Sequence, residues 1–242
     1  MKGHLAILDG DDTLWSVEGL YDDALDRAQE RVEAHGLPGD RWRTLQRQLD
    51  LVNVLEMGTS AARFPLSSVQ AVDQLADEVA APGGPALDAL RSEVEAISCS
   101  VFTAAAPLVP AVEDVLGDLG ERMRLVLLTK GDRQVQERRI AESGLRPLLD
   151  DVVIVEAKSP ETFGEIVRAS GVVPGRAWSI GNSIPSDINP AVAAGLNAVW
   201  VDSHVWEYER REGYVPHPRV MALPSLKVVP EHLLPLLRDG EG

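Results

Sequence analysis

The stretch Leu5-Ala-Ile-Leu-Asp-Gly-Asp-Asp-Thr-Leu14 constrains this chain more than any other. Leu5 to Leu8 is a short apolar run of the kind that forms a buried parallel strand. Three carboxylates, Asp9, Asp11 and Asp12, follow within four residues, with Gly10 between the first two and Thr13 after the last. An open α/β sheet places its ligand site at the C-terminal ends of its strands, where such a cluster would arrive. Carboxylates this close repel each other unless a cation or a shared proton offsets the repulsion. Hard oxygen donors suit a divalent cation, Mg2+ first among them. An acidic turn after an edge strand is the competing reading, because Gly and Asp are ordinary turn residues.

After Leu14 the period changes. Val17, Leu20, Tyr21, Ala24, Leu25, Ala28 and Val32 recur at three and four, one apolar stripe of a helix. Trp42 to Gly58, Leu66 to Val79 and Leu87 to Val101 repeat that pattern, separated by Gly- and Pro-containing breaks. Strand and helix then alternate. Strands are expected at Met123–Leu128, Val152–Val155, Ala177–Ile180 and Asn197–Val201, with helices between them, and the proline-rich tail is expected as loop and short helix. Serial βα units predict a doubly wound, parallel-sheet, Rossmann-like core of α/β class. The all-helical block after the first strand is an inserted second domain. The expected boundaries are residues 1–16 and 104–242 for the core and 17–103 for the insert.

Composition narrows the partners. The chain of 242 residues carries a net charge of −15, which argues against nucleic acid and against an anionic membrane surface, since both require Lys and Arg. The single cysteine, Cys99, excludes an intramolecular disulfide framework and suits a reducing compartment. No apolar leader and no membrane-length run is seen, so the expected location is the cytoplasm.

The residues expected at the strand ends are Asp9 and Asp11, then Thr129 and Lys130, Lys158, and finally Asn182, Ser183 and Asp187. No Ser/His/Asp set, zinc-type ligand spacing or Walker-type loop is present. Carboxylates, a hydroxyl and ammonium groups suit phosphoryl transfer, where catalysis is mostly positioning and charge neutralisation. The chain has only four lysines, Lys2, Lys130, Lys158 and Lys227, and two of them fall at this edge.

Asp9-Gly-Asp11-Asp-Thr13, Thr129, Lys158 and Gly181-Asn-Ser183 with Asp187 resemble the four ordered motifs of the haloacid dehalogenase-like (HAD) phosphohydrolases. The resemblance extends over nearly the whole chain, with the helical insert in the position of the family's cap. It implies a hydrolase of small phosphorylated metabolites. Asp9 would be the nucleophile that becomes an aspartyl phosphate, and Asp11 the acid and then the base. Thr129 and Lys158 would hold the phosphate. Lys130, read from its place at the strand end and not from the resemblance, is a further candidate phosphate contact, with a solvated helix-start residue as the other reading. Mg2+ would lie among Asp9, the Asp11 carbonyl, Asp187 and Asn182. Many relatives carry an aspartate where this chain has Asn182, so its metal site is one negative charge poorer. Asp12 is read as a turn or capping residue. Trp15, Trp42 and Phe64 are read as core.

Arg63, expected in a loop between two cap helices, is read as a contact for substrate anions, with a solvated loop arginine as the other reading. A phosphomutase and a haloacid dehalogenase remain the enzymatic alternatives. Asp11 speaks against the dehalogenase, because dehalogenases of this fold lack the second aspartate. A non-catalytic phosphate-accepting or phosphate-binding domain is the alternative outside catalysis.

Overall fold

The computed structural model describes residues 2–202 and 216–237. The chain divides into two units, one formed by Met1–Glu18 and Ala105–Gly242 and the other by Gly19–Ala104.

Among the described residues, the first unit is built on a six-stranded sheet. Its strands are β1 (His4–Leu8), β2 (Met123–Lys130), β3 (Asp151–Val155), β4 (Ala177–Gly181), β5 (Asn197–Val201) and β6 (Val220–Leu223). They lie in the order β3-β2-β1-β4-β5-β6 and every pairing is parallel. β1 is central, and Leu5, Ala6, Ile7 and Leu8 are all buried. Covered on both faces, a central parallel strand must be apolar throughout. Burial of each large side chain there contributes roughly 1.5–3 kcal/mol. The direction of chain progression reverses between β1 and β4, the position at which open α/β sheets bind ligands.

Helices α5 (Val112–Arg122), α6 (Arg133–Ser143), α7 (Pro160–Ser170) and α8 (Asn189–Ala193) follow the strands, and α9 (Val229–Leu233) follows β6. Local chemistry sets their ends. The Asp132 carboxylate accepts the N–H groups of Gln134 and Val135 at the start of α6. Ser159 caps α7 ahead of Pro160, and Gly171 closes that helix in the left-handed conformation. Phe163, Ile166 and Val167 of α7 pack with Leu5, Ile7, Val126 and Leu128 of the sheet.

The second unit is all-helical: α1 (Glu18–Ala34), α2 (Gly39–Met57), α3 (Arg63–Glu78) and α4 (Pro85–Ser100). Its core joins Ala28, Val32, Trp42, Leu45, Val72, Leu75, Leu90 and Val94. A smaller cluster sets Phe64 against Tyr21, whose rings meet edge to face with centroids 4.9 Å apart. No helix of the described residues is long and apolar enough to cross a membrane.

Three expectations need correction. The tail contains a strand, β6, which adds to the edge of the sheet beside β5. Its four residues, Val-Met-Ala-Leu, are too few to show a period. β2 runs two residues past the expected Leu128, so Thr129 and Lys130 are its last residues. Helix α3 begins at Arg63, which therefore does not lie in a loop.

Candidate active site

Asp9 directly follows β1, and its N–H extends the β1–β4 ladder by donating to the Ile180 carbonyl at 2.9 Å. This fixes the backbone from which the first carboxylate projects, and the residue is 8% exposed. Gly10 comes next because nothing larger fits. A Cβ there would stand 2.7 Å from the Trp15 ring and 3.3 Å from Thr129 Oγ1. Thr129, buried at the end of β2, is thereby placed against the turn that carries Asp9 and Asp11. Asp12 takes a left-handed φ of 59° and its carboxylate accepts the N–H groups of Val17 and Glu18, at 2.9 and 3.1 Å. It is a capping residue at the entry to α1.

The Lys158 side chain, 2% exposed, reaches from the loop between β3 and α7 to two carboxylates. Its Nζ donates to Asp9 Oδ1 at 2.5 Å and to Asp187 Oδ1 at 2.7 Å. Asp187 lies in a π-helical turn at Ile184–Ile188, not at a helix N-cap, and is 1% exposed. π-Turns often mark functional positions because they displace one side chain from the regular helix surface. The backbone N–H of Ser183 donates to Asp187 Oδ2 at 3.0 Å. Gly181 makes room for this carboxylate, since a Cβ at Gly181 would meet Asp187 Oδ2 at 2.3 Å. Thr13 ties the other side together, donating to Asp9 Oδ2 at 3.0 Å and to Asn182 Oδ1 at 3.4 Å.

Two buried carboxylates thus share one ammonium. Burial, followed by repulsion from Asp187, pushes Asp9 up to about 7 against the pull of Lys158. For Lys158 burial acts downward, but Asp187 and Asp9 outweigh it and hold the ammonium above its ordinary range. The donor set is two carboxylates and the Asn182 amide oxygen, with excess negative charge in a buried place. These hard oxygens fit a small divalent cation. Among the described residues, no group of three or more His, Cys, Asp or Glu side chains could hold a metal ion.

Asp11 points elsewhere. Its Oδ1 accepts the Trp15 indole N–H at 2.6 Å, and its Oδ2 accepts from Gln136 at 2.9 Å and Arg139 at 2.7 Å. Lys130 Nζ donates to Ser186 Oγ at 2.6 Å, within the turn that carries Asp187. Arg63 lies in the helical unit, 7% exposed, in an ion pair with Asp50.

The structure therefore brings Asp9, Lys158, Asp187 and Asn182 together and sets Thr129 beside Gly10. Sequence reasoning missed Thr13 as their link, although its position four residues after Asp9 was visible. It also missed Gln136 and Arg139. Their one sequence signal is that α6 is polar all round, so some polar side chains on it must face inward.

A haloacid dehalogenase-like hydrolase family model matches residues 4–195. The N-acylneuraminate-9-phosphatase of Homo sapiens is 32% identical over 124 residues, covering 48% of this chain and 50% of that protein. The chain thus spans about half the length of this curated relative. A haloacid dehalogenase-like family hydrolase from Xanthomonas campestris has a similar fold, with a TM-score of 0.76, 23% identity and coverage of 96% and 95% of the two chains. A HAD-hydrolase from Bacillus subtilis, solved bound to magnesium, matches with a TM-score of 0.64 at 18% identity, over 96% of this chain and 99% of that one.

Proposed function

The chain belongs to the haloacid dehalogenase-like hydrolases, and on that premise we propose that it is a Mg2+-dependent phosphomonoesterase acting on a small phosphorylated metabolite through Asp9. The observation that carries this reading is the buried junction of Asp9, Lys158 and Asp187 at the ends of β1 and β4. It joins a nucleophile to a fixed positive charge where the sheet order reverses.

A carboxylate oxygen of Asp9 attacks the phosphorus, and the bond from phosphorus to the leaving oxygen breaks. Asp11 gives that oxygen its proton, so the product leaves as an alcohol. Asp11 then takes a proton from water as the water oxygen attacks the phosphorus. The bond to Asp9 breaks, and inorganic phosphate and the free carboxylate are restored. Lys158 holds Asp9 in place and neutralises phosphoryl charge, while Thr129 and Lys130 serve the phosphoryl oxygens. Asp9, the Asp11 carbonyl, Asp187 and Asn182 would hold Mg2+, which when bound would supply the positive charge that two carboxylates around one ammonium lack. The inserted helical unit is assigned the role of cap, with substrate choice.

Phosphate release tests the proposal, measured with and without Mg2+ over a panel of sugar, nucleotide and short-chain acid phosphates that includes N-acylneuraminate 9-phosphate. Release should depend on Mg2+ and disappear in Asp9→Asn. Near-normal turnover by Asp9→Asn with Mg2+ present would overturn it. Transfer to a bound sugar without phosphate release would identify a mutase, and halide release from a 2-haloacid would identify a dehalogenase.

A further inference from the structure

Gln136 and Arg139 lie three residues apart on α6, on one face of the helix, and are 3% and 5% exposed. Both donate to the same oxygen, Asp11 Oδ2. The Asp11 carboxylate itself is 28% exposed. Arg139 Nε and Nη2 and Gln136 Oε1 are buried without a hydrogen-bond partner. A buried guanidinium stabilises a fold only when its counterion geometry is good and its remaining N–H groups are matched. Here two of its nitrogens are unmatched, so stability alone does not account for placing this cation inside. What the arrangement does achieve is a double hold on one oxygen of one carboxylate.

The two oxygens of Asp11 are held unequally. Oδ2 has an ion pair with the Arg139 guanidinium and a second donor in Gln136. Oδ1 has the neutral indole N–H of Trp15. A cationic donor backed by a second donor holds its oxygen more firmly than one neutral donor does, so the Trp15 bond is the one released at lower cost. We propose that Arg139, backed by Gln136, is the positioning residue for Asp11, anchoring Oδ2 on α6 and leaving Oδ1 as the oxygen that serves the leaving group. This rests on the reading of Asp11 as acid and base. Arg139 touches no substrate and acts on turnover only through Asp11.

The test compares an alkyl phosphate, whose leaving group needs a proton, with p-nitrophenyl phosphate, whose leaving group needs little. Arg139→Gln should lower kcat by ~10-fold or more with the alkyl ester and by less with the aryl ester, because it weakens proton delivery rather than attack. KM should stay within ~2-fold, since binding in the ground state is unchanged. Arg139→Lys should recover part of the loss. In an Asp11→Asn background, Arg139→Gln should add no further loss with either ester, as expected when one residue acts through the other. Equal loss with both esters, or additive loss in the double variant, would overturn the anchor.

If Asp11→Asn alone lowers both esters equally, the acid reading falls and the anchor falls with it. If Asp11→Asn separates the esters and Arg139→Gln does not, only the anchor falls. Should Arg139→Gln fold poorly by circular dichroism, Gln136→Leu removes the second donor to Oδ2 while keeping the cation. It must then show the same separation of esters at smaller amplitude, and its failure to do so would equally reject the proposal.

Discussion

Each unit of this protein buries an ionic cluster, and the two clusters differ in charge balance. In the sheet unit, Asp9 and Asp187 are held by one ammonium, Lys158. In the helical unit, Asp50 pairs with the guanidinium of Arg63, and the Ser67 hydroxyl donates to its other oxygen at 3.0 Å. Burial raises the pKa of Asp9 and of Asp50 alike. Arg63 opposes this at Asp50, whereas at Asp9 a second carboxylate reinforces it. A pair matched one to one leaves no net charge to be relieved. Two carboxylates around one cation keep a negative excess that a metal ion can relieve, and that excess distinguishes a site from a strut.

Asp9→Asn bears on this contrast most heavily. It should lower kcat for phosphomonoesters by ~10^4-fold or more while the fold is retained, because no other group replaces the nucleophile. A loss of only a few fold would remove the functional meaning of the unbalanced cluster.

Next comes the metal. Asp187→Ala should raise the Mg2+ concentration needed for half-maximal activity by ~10-fold or more. Asn182→Ala should raise it less, since it removes a neutral oxygen. Activity titrated against Mg2+ at one pH checks the order, and an inverted order would place the important donor at Asn182.

For the matched cluster the effect should fall on stability. Arg63→Met leaves Asp50 buried without its cation and should cost about 3–5 kcal/mol in denaturant unfolding. The double change Asp50→Leu with Arg63→Met should recover most of that loss. If Arg63→Met is neutral for stability and instead raises KM, the arginine is a substrate contact and the contrast between the clusters disappears.

The smallest effect is on the pH dependence of the metal-free protein. Asp9 titrates near 3.8 when unfolded and near 7 when folded, so between these values the native state binds the extra proton. Native stability therefore declines as pH rises through that window, by roughly 1–4 kcal/mol, and the penalty is complete above it. Asp9→Asn should lack this decline. Unfolding of both proteins in EDTA from pH 4 to pH 8 reads the difference directly, and parallel profiles would show that Lys158 already satisfies Asp9.

Local pattern carried most of the architecture. The apolar run of β1 needed no partner to be legible, because a strand covered on both faces has to be apolar throughout. The helices of the insert were legible for the same kind of reason, their stripes recurring at three and four. β6 was not legible, since Val220–Leu223 is short and is a strand only because β5 offers it an edge. The sequence also misplaced Arg63, which at the first turn of α3 pairs with Asp50, thirteen residues earlier in the helical unit.

Within the candidate site, the types and order of Asp9, Asp11, Thr129, Lys158 and Asp187 were determined by the sequence, since each sits at the end of a strand or in the loop or turn that follows one. Which of them touch was decided only in three dimensions. Lys158 lies 149 residues from Asp9, and Arg139 lies 128 residues from Asp11. Neither separation leaves a periodic trace. The pull of Arg139 and Gln136 on Asp11, and the sharing of Lys158 between two carboxylates, follow from the parallel sheet that brings every strand end to one edge. Residue type is a local property, but the electrostatic environment of a carboxylate depends on distances that chain folding alone sets.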